Sequence, residues 1–296
     1  MARRLILAGL AWLALAAPLW ARCENYVPQP KPQNASRDIV GQDMDQILDR
    51  GFITFAVYED FAPWSYLQDG KPTGVDIDIG KLIASELGVE PRFRLIAAAE
   101  NLEADLRNNI WRGPVVGGAV SNVMLHVPYD SEFTCRVDQV VFTGQYASEE
   151  IAIAYSEADY PDDKPVPAYF RFDTVAVEND SISDFYLGSF AGGQASRGVR
   201  RYPSTLASAR AVGAGETLAA MGPRAQLEAG LTEGVGIHTP PFAGFARSKW
   251  TIGLAVHMRY RALGYAVDDA IFAGLADGRI EAIFADHGLT FLPPER

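Results

Sequence analysis

Two stretches of the sequence decide the fold: Phe52-Ile-Thr-Phe-Ala-Val-Tyr58 and, after a loop rich in proline and glycine, Gly74-Val-Asp-Ile-Asp-Ile79. The first stretch is apolar and rich in residues that favour extended backbone, which is typical of a buried β-strand. The second leads into a helix, Gly80 to Leu87, that Gly88 closes as its C-cap. A strand, a loop and a helix in this order predict one unit of an α/β fold.

The same alternation continues outward from these stretches. A short helix containing Met44, Ile47 and Leu48 precedes the first strand and ends at Gly51. Further predicted strands are Pro91 to Ala97, Asn122 to Val127, Val140 to Tyr155, Thr174 to Val177 and Thr251 to His257. Strands that alternate with helices predict a parallel sheet. We expect two α/β lobes joined by two hinge crossings, one lobe built from residues 43–146 plus 240–296 and the other from residues 147–239.

Composition and charge exclude several classes of protein. The chain has 296 residues, of which 48% are hydrophobic and 21% charged, so it has enough apolar side chain for a real core and is not intrinsically disordered. Lysine and arginine number 26 against 37 aspartates and glutamates, which gives a net charge of −11. An acidic chain is repelled by phosphate backbones and anionic lipids. Nucleic-acid binding is therefore not expected.

The N-terminus predicts export. Arg3 and Arg4 precede an apolar run from Leu5 to Leu19, and Ala21 offers a small residue for cleavage, so residues 1–21 read as a signal peptide. The run falls short of the ~20 residues that a bilayer requires, although an uncleaved anchor remains an alternative. Residues 22–42 are polar and proline-rich, typical of an extended leader. We expect a periplasmic protein without stable membrane insertion.

The sequence contains two cysteines, Cys23 and Cys135. Export permits a disulfide between them, but two cysteines in a chain of this length are not a disulfide framework. Either a bridge or two free thiols fits the sequence. Arg22 precedes Cys23 where a lipoprotein signal has a small residue, which argues against a lipid anchor.

Several motifs together resemble the bacterial extracellular solute-binding proteins that serve polar amino-acid transporters. They are Asp45-Gln-Ile-Leu-Asp-Arg-Gly51, Phe61-Ala-Pro-Trp64, Gly74-Val-Asp-Ile-Asp-Ile79 and Leu275-Ala-Asp-Gly-Arg-Ile280. The resemblance implies a type II periplasmic-binding-protein fold, in which two lobes enclose a ligand at the carboxyl ends of their strands.

The groups with which that family binds an amino acid are mostly replaced. By the resemblance, Phe133 stands in place of the arginine that binds the ligand carboxylate, and Tyr58 and Pro223 stand in place of acids. The turn that contacts the ligand from the second lobe reads Asn179-Asp-Ser181. Phe61 and Trp64 are retained. Because an unpaired buried carboxylate costs several kcal/mol, we expect that free amino acids are not the ligand.

A narrower resemblance accommodates these replacements. The runs Asp105-Leu-Arg-Asn-Asn-Ile-Trp-Arg-Gly113, Met124-Leu-His-Val-Pro-Tyr-Asp130 and Gly236-Ile-His-Thr-Pro-Pro241 are similar to the solute-binding-type proteins of the XoxJ/MxaJ group, which are associated with periplasmic quinoprotein methanol dehydrogenases. This resemblance implies an accessory protein that assists maturation or activation of a PQQ-dependent, lanthanide-type methanol dehydrogenase. Its partners would be that enzyme and its cytochrome c. The calcium-dependent branch of the group is the alternative.

The predicted site lies in the cleft and consists of aromatic and polar side chains that would contact a ligand or partner segment. They are Tyr58, Phe61, Trp64, His126, Tyr129, Asp130, Asn179, Ser181 and Arg224. His126 either forms a polar pair or metal site with Asp130, or hydrogen-bonds to a nearby backbone carbonyl. The other histidines have no ligand spacing, so we predict neither a metal nor a cofactor.

The sequence contains no visible set of residues for nucleophilic catalysis, and we expect a monomeric binding protein rather than an enzyme. Two alternatives remain. One is a transporter receptor for a small solute other than a standard amino acid. The other is a dehydratase on the same fold, with Asp130, Glu132 or Asp180 as the general acid.

Overall fold

The computed structural model describes residues 43–114 and 119–295. The described helices are α1 Met44–Arg50, α2 Val75–Leu87, α3 Leu102–Leu106, α4 Ser131–Arg136, α5 Ile182–Gly193, α6 Thr205–Gly213, α7 Arg224–Glu228, α8 Arg261–Ala276 and α9 Arg279–Asp286. The described strands are β1 Phe52–Tyr58, β2 Tyr66–Gln68, β3 Lys71–Thr73, β4 Glu90–Ile96, β5 Val123–Tyr129, β6 Val140–Ser156, β7 Val175–Glu178, β8 Val199–Tyr202, β9 Ala219–Pro223, β10 Val235–His238 and β11 Lys249–His257. A π-helical turn, Arg107–Trp111, extends α3.

One long strand connects two groups of strands. The order along the ladder is β4-β1-β5-β11-β6-β9-β7-β8, with β10 also on β6. Residues 140–150 of β6 pair with β11, and residues 151–156 pair with β9 and β10. The ladder is therefore continuous through β6, which belongs to both groups. The division into lobes of residues 43–146 plus 240–296 and 147–239 stays a prediction.

The fold class is α/β, as predicted, but the sheet is mixed rather than parallel. Strands β4, β1 and β5 run parallel, and so do β8, β7 and β9. The pairs that β6 and β11 form are all antiparallel. β11 follows a loop, and the link from β5 to β6 holds only the six-residue helix α4, which is too short for a crossover between parallel strands. The helix–strand alternation therefore does not determine the direction of these two strands.

Each group of strands has its own buried core. The larger core lies between the first group and helices α2, α8 and α9, and includes Phe55, Trp64, Ile83 and Phe284. A second core lies under β7 and α5 and includes Phe170, Leu187 and Met221. These cores form where apolar residues alternate along strands and recur at helical spacing.

The structure corrects the predicted start of one helix. Helix α2 begins at Val75 rather than at Gly80, so Asp76 and Asp78 lie in its first turn, where the helix dipole stabilises negative charge. At the C-terminal end, Gly278 adopts a left-handed conformation and separates α8 from α9.

The predictions for the N-terminus lie outside the described residues, namely the signal peptide of residues 1–21, the leader of residues 22–42 and Cys23. Cys135 is disulfide-bonded. In the described part of the chain, none of the helices combines the length and hydrophobicity that crossing a bilayer requires.

Candidate functional site

A tight loop holds Phe61 and Trp64 in place. The Phe61 N–H donates to the Ser65 carbonyl, and the Trp64 N–H donates to the Phe61 carbonyl. Gly74 passes so close that a Cβ there would lie 2.3 Å from the Trp64 carbonyl oxygen. Only glycine fits this approach, which brings the loop against the start of α2.

His126 lies in the middle of β5 beneath this loop. Its ring contacts the ring of Phe61 at 4.8 Å and that of Trp64 at 4.5 Å between centroids, both edge to face. His126 has a φ of 57°, which is uncommon for a residue other than glycine, and the pairing of β5 with β11 shifts register beside it. The irregular backbone therefore accompanies a buried histidine ring enclosed by aromatic side chains.

The partner of His126 is Asp76, which neither prediction for this histidine anticipated. Asp76 is completely buried, and its Oδ2 lies 3.2 Å from His126 Nδ1. Its Oδ1 accepts a hydrogen bond of 2.6 Å from the Tyr146 hydroxyl. Burial first, and then Asp76, raises the pKa of Tyr146 well above its usual value, because both disfavour a tyrosinate.

Tyr58 contributes its ring rather than its hydroxyl. The hydroxyl donates to Asp105 Oδ2 at 2.8 Å, and burial followed by Asp105 raises the pKa of Tyr58. The ring meets Phe61 at 5.9 Å. Tyr58, Phe61, Trp64 and His126 thus form one continuous aromatic cluster. Whether these residues contact a ligand stays a prediction.

A cavity of about 350 Å³ lies at the carboxyl end of β5. Its walls combine apolar and charged side chains: Leu102, Pro128, Asp130, Glu132, Phe133, Arg136 and Arg247. Tyr129 lies between the lining residues Pro128 and Asp130 in the sequence, and the residue is 36% exposed. The carboxyl ends of strands are where this class of fold binds its ligands.

Asp130 has two partners at this cavity. Its Oδ1 accepts a hydrogen bond from the Phe133 N–H at 2.7 Å, which caps helix α4, and its Oδ2 forms an ion pair with Arg247. The backbone hydrogen bond from Phe133, together with Arg247, lowers the pKa of Asp130. Arg247 comes from the loop before β11, more than a hundred residues along the chain, so sequence spacing does not reveal the pair.

The predicted residues of the second group of strands are engaged in local structure. Ser181 caps α5 by accepting a hydrogen bond from the Asp184 N–H, and Asn179 donates to Asp180. Arg224 binds Glu150 at 2.8 Å and Glu228 at 3.3 Å. Asn179, Ser181 and Arg224 make no described contact with the aromatic cluster, so whether they meet a ligand stays a prediction.

Sequence reasoning missed the buried groups Asp76, Asp105, Tyr146 and Glu149 and the exposed Arg247. A signal for Asp76 exists, because it is the first acid of Val75-Asp-Ile-Asp-Ile79, where a helical register turns it toward the core. Among the described residues, His, Cys, Asp and Glu form no group of three or more that would hold a metal ion.

Residues 53–111 match the family model described as bacterial extracellular solute-binding proteins, family 3. No curated protein matches the sequence.

Solved structures match over most of the chain. An ancestral cationic amino acid solute binding protein has 18% identity and a TM-score of 0.67, covering 83% of this chain and 99% of that one. An ancestral amino acid-binding protein described as a precursor of cyclohexadienyl dehydratase has 18% identity and a TM-score of 0.57, covering 83% and 98%. An amino acid transporter substrate-binding protein from Streptococcus pneumoniae, bound to L-arginine, has 18% identity and a TM-score of 0.56, covering 82% and 97%.

These identities show the fold alone. The chain has a solute-binding-like α/β fold, similar to that of type II periplasmic amino-acid-binding proteins.

Proposed function

We propose that this chain is an exported, periplasmic receptor protein that binds a small solute other than a standard amino acid and presents it to a transporter. The observation that carries the proposal is the cavity at the carboxyl end of β5, in a fold whose relatives hold ligands. The same strand carries His126 of the aromatic cluster. A concave site with apolar walls and a few polar groups is typical of small-molecule binding.

The charges at the cavity support a ligand other than a free amino acid. A ligand carboxylate is best bound by a guanidinium with both of its donors available. Arg247 is instead paired with Asp130, and Phe133 lines the cavity where the family resemblance places an arginine. To use Arg247 and Asp130 for its two charged groups, an amino acid would have to separate this pair.

The test is a thermal-shift screen of the mature protein against a library of small solutes that includes the standard amino acids. We expect one class of solute outside the amino acids to raise the Tm, because a ligand that binds only the folded state stabilises it. Phe61→Ala should lose the shift, whereas Phe172→Ala, at a side chain 87% exposed, should keep it. A shift produced only by standard amino acids would contradict the proposal.

A second candidate function is the accessory role in methanol oxidation. It rests on the run Met124-Leu-His-Val-Pro-Tyr-Asp130, which covers most of β5 and includes both His126 and Asp130, the N-cap of α4. In this role the protein would bind a segment of a PQQ-dependent methanol dehydrogenase, or its cytochrome c. Normal amounts of active, metal- and quinone-loaded enzyme in a strain without this protein would contradict it.

The dehydratase alternative has less physical support at Asp130. A general acid that works near neutral pH needs a raised pKa, so that it still carries its proton. The pKa of Asp130 is lowered by the Phe133 N–H and by Arg247. Asp130 therefore suits the structural role of a helix cap.

A further inference from the structure

Two buried polar atoms face each other at the centre of the aromatic cluster without a hydrogen bond. Asp76 Oδ2 and His126 Nδ1 lie 3.2 Å apart, and neither has a hydrogen-bond partner among the described residues, so the two groups are close but not aligned. A buried polar atom without a partner is unfavourable, and such exceptions are rare enough that each one requires an explanation.

The neighbouring side chains determine which ring nitrogen of His126 carries the proton. An ionised Asp76 only accepts hydrogen bonds, and the Tyr146 hydroxyl already donates to its Oδ1. The proton that Oδ2 can accept is the one on His126 Nδ1. With the proton on Nδ1, the neutral ring presents a lone pair at Nε2.

The other ring nitrogen is available. His126 Nε2 forms no hydrogen bond within the described residues, and the side chain keeps 9% of its surface exposed. Phe61 and Trp64 enclose the ring from two sides, and Phe61 is itself only partly buried. Because Phe61 contacts this ring and is itself partly exposed, a ligand that lies against Phe61 is the candidate partner of Nε2.

We propose that His126 is a ligand-contacting residue whose Nε2 accepts a hydrogen bond from a hydroxyl or amine of the solute, with Asp76 and Tyr146 as positioning residues that hold the proton on Nδ1. The inference rests on the proposed function, since it defines the class of its ligand. That class is a small molecule with an apolar or aromatic body, which lies against Phe61, and one N–H or O–H donor.

The strained backbone fits this role. A positive φ at a residue other than glycine is unfavourable and persists only where the surrounding structure imposes it. At His126 it turns a strand residue toward Asp76 and beneath Phe61. A histidine that only filled the core would not require a backbone of this kind.

The experiment is NMR of the full mature protein labelled with ¹⁵N-histidine, in which the His126→Phe spectrum assigns the His126 signals. Without ligand, we expect His126 to carry its proton on Nδ1, and Asp76→Asn or Tyr146→Phe to lose this preference. Either variant suffices if the other fails to fold. A ring protonated on Nε2 in the wild type would overturn the proposal.

Benzylamine and benzyl alcohol serve as probes, and benzyl methyl ether is the matched control without a donor. We expect the two donors to move the Nε2 signal saturably and the ether to leave it unchanged, with the Kd of benzylamine weakened about tenfold in His126→Phe. Equal shifts from the ether, or no shift from either donor up to its solubility limit, would overturn the proposal. If the donors bind while the solute screen finds no ligand, the proposed function fails and this inference stands.

Discussion

Glu149, buried on the shared strand β6, accepts a hydrogen bond on Oε2 from the Ala225 N–H in the first turn of helix α7, 3.3 Å away. Its Oε1 accepts from the Glu150 N–H at 2.8 Å. Burial raises the pKa of Glu149 to about 8, against the effect of these hydrogen bonds. The strand that joins the two groups therefore carries a carboxyl group that is protonated at neutral pH.

Glu149→Gln should remove a pH dependence of stability. The folded protein holds this proton up to about pH 8, whereas the unfolded chain releases it near 4.5. The wild type therefore loses stability as pH rises between these values and levels off above them. The amide that replaces one accepting oxygen lowers the unfolding free energy of the variant equally at both pH values. Between pH 4.5 and 8.5 we expect the variant to lose on the order of a few kcal/mol less unfolding free energy than the wild type, measured by urea denaturation. The exposed control Glu157→Gln should show the same pH dependence of unfolding free energy as the wild type. If Glu149→Gln also showed the wild-type pH dependence, the assignment would be contradicted.

Arg224→Met should destabilise the protein. The guanidinium is mostly buried and binds Glu150 and Glu228, so its removal leaves two partly buried carboxylates without their cation. We expect a loss on the order of 2–3 kcal/mol in unfolding free energy. Lys249→Met is the control, because Lys249 and Glu295 form an exposed pair that should contribute at most about 1 kcal/mol. Similar losses in both variants would contradict this account.

Gly74→Ala should disturb the loop that carries Phe61 and Trp64. The new Cβ would overlap the Trp64 carbonyl oxygen, and the backbone φ of 123° is unfavourable for alanine. We expect a loss on the order of 3 kcal/mol or more by chemical denaturation. Gly88→Ala also has a positive φ but nothing within 4 Å, so it should cost only about 1 kcal/mol. Equal costs would show that the close approach does not matter.

Asp130→Ala and Asp130→Asn should separate the two roles of this carboxylate. Alanine removes the cap of α4 and should cost about 1 kcal/mol, whereas asparagine keeps the cap and loses only the ion pair with Arg247. Because the Arg247 side chain is 57% exposed, we expect asparagine to cost less than about 0.5 kcal/mol. Thermal denaturation at low and high salt compares the stability costs of the two variants. A larger cost for asparagine than for alanine would contradict this prediction.

Most of the first group of strands was predictable from local patterns. Phe52–Tyr58 forms the predicted strand without a change of bounds, and Gly51 ends α1 as its left-handed cap. These elements follow from apolar periodicity and from glycine at a cap, which depend only on neighbouring residues. The antiparallel course of β11 depends on tertiary pairing, which short-range patterns do not contain.

The site was predictable only in part for the same reason. Phe61, Trp64 and His126 were named from the sequence and lie in contact, but Asp76 and Tyr146, which complete their surroundings, lie 70 residues apart. The ion pair of Asp130 with Arg247 spans an even longer separation. Long-range polar contacts of this kind follow from the folded chain and not from spacing.

Isothermal titration calorimetry of the mature protein tests the central claim, solute binding at the cavity and aromatic cluster, most directly. The account predicts that a hydroxyl- or amine-bearing solute outside the standard amino acids binds at one site, that Phe61→Ala weakens its Kd about tenfold or more, and that Phe172→Ala leaves it unchanged. A standard amino acid that binds with micromolar Kd, equally well to the wild type and to Phe61→Ala, would contradict it.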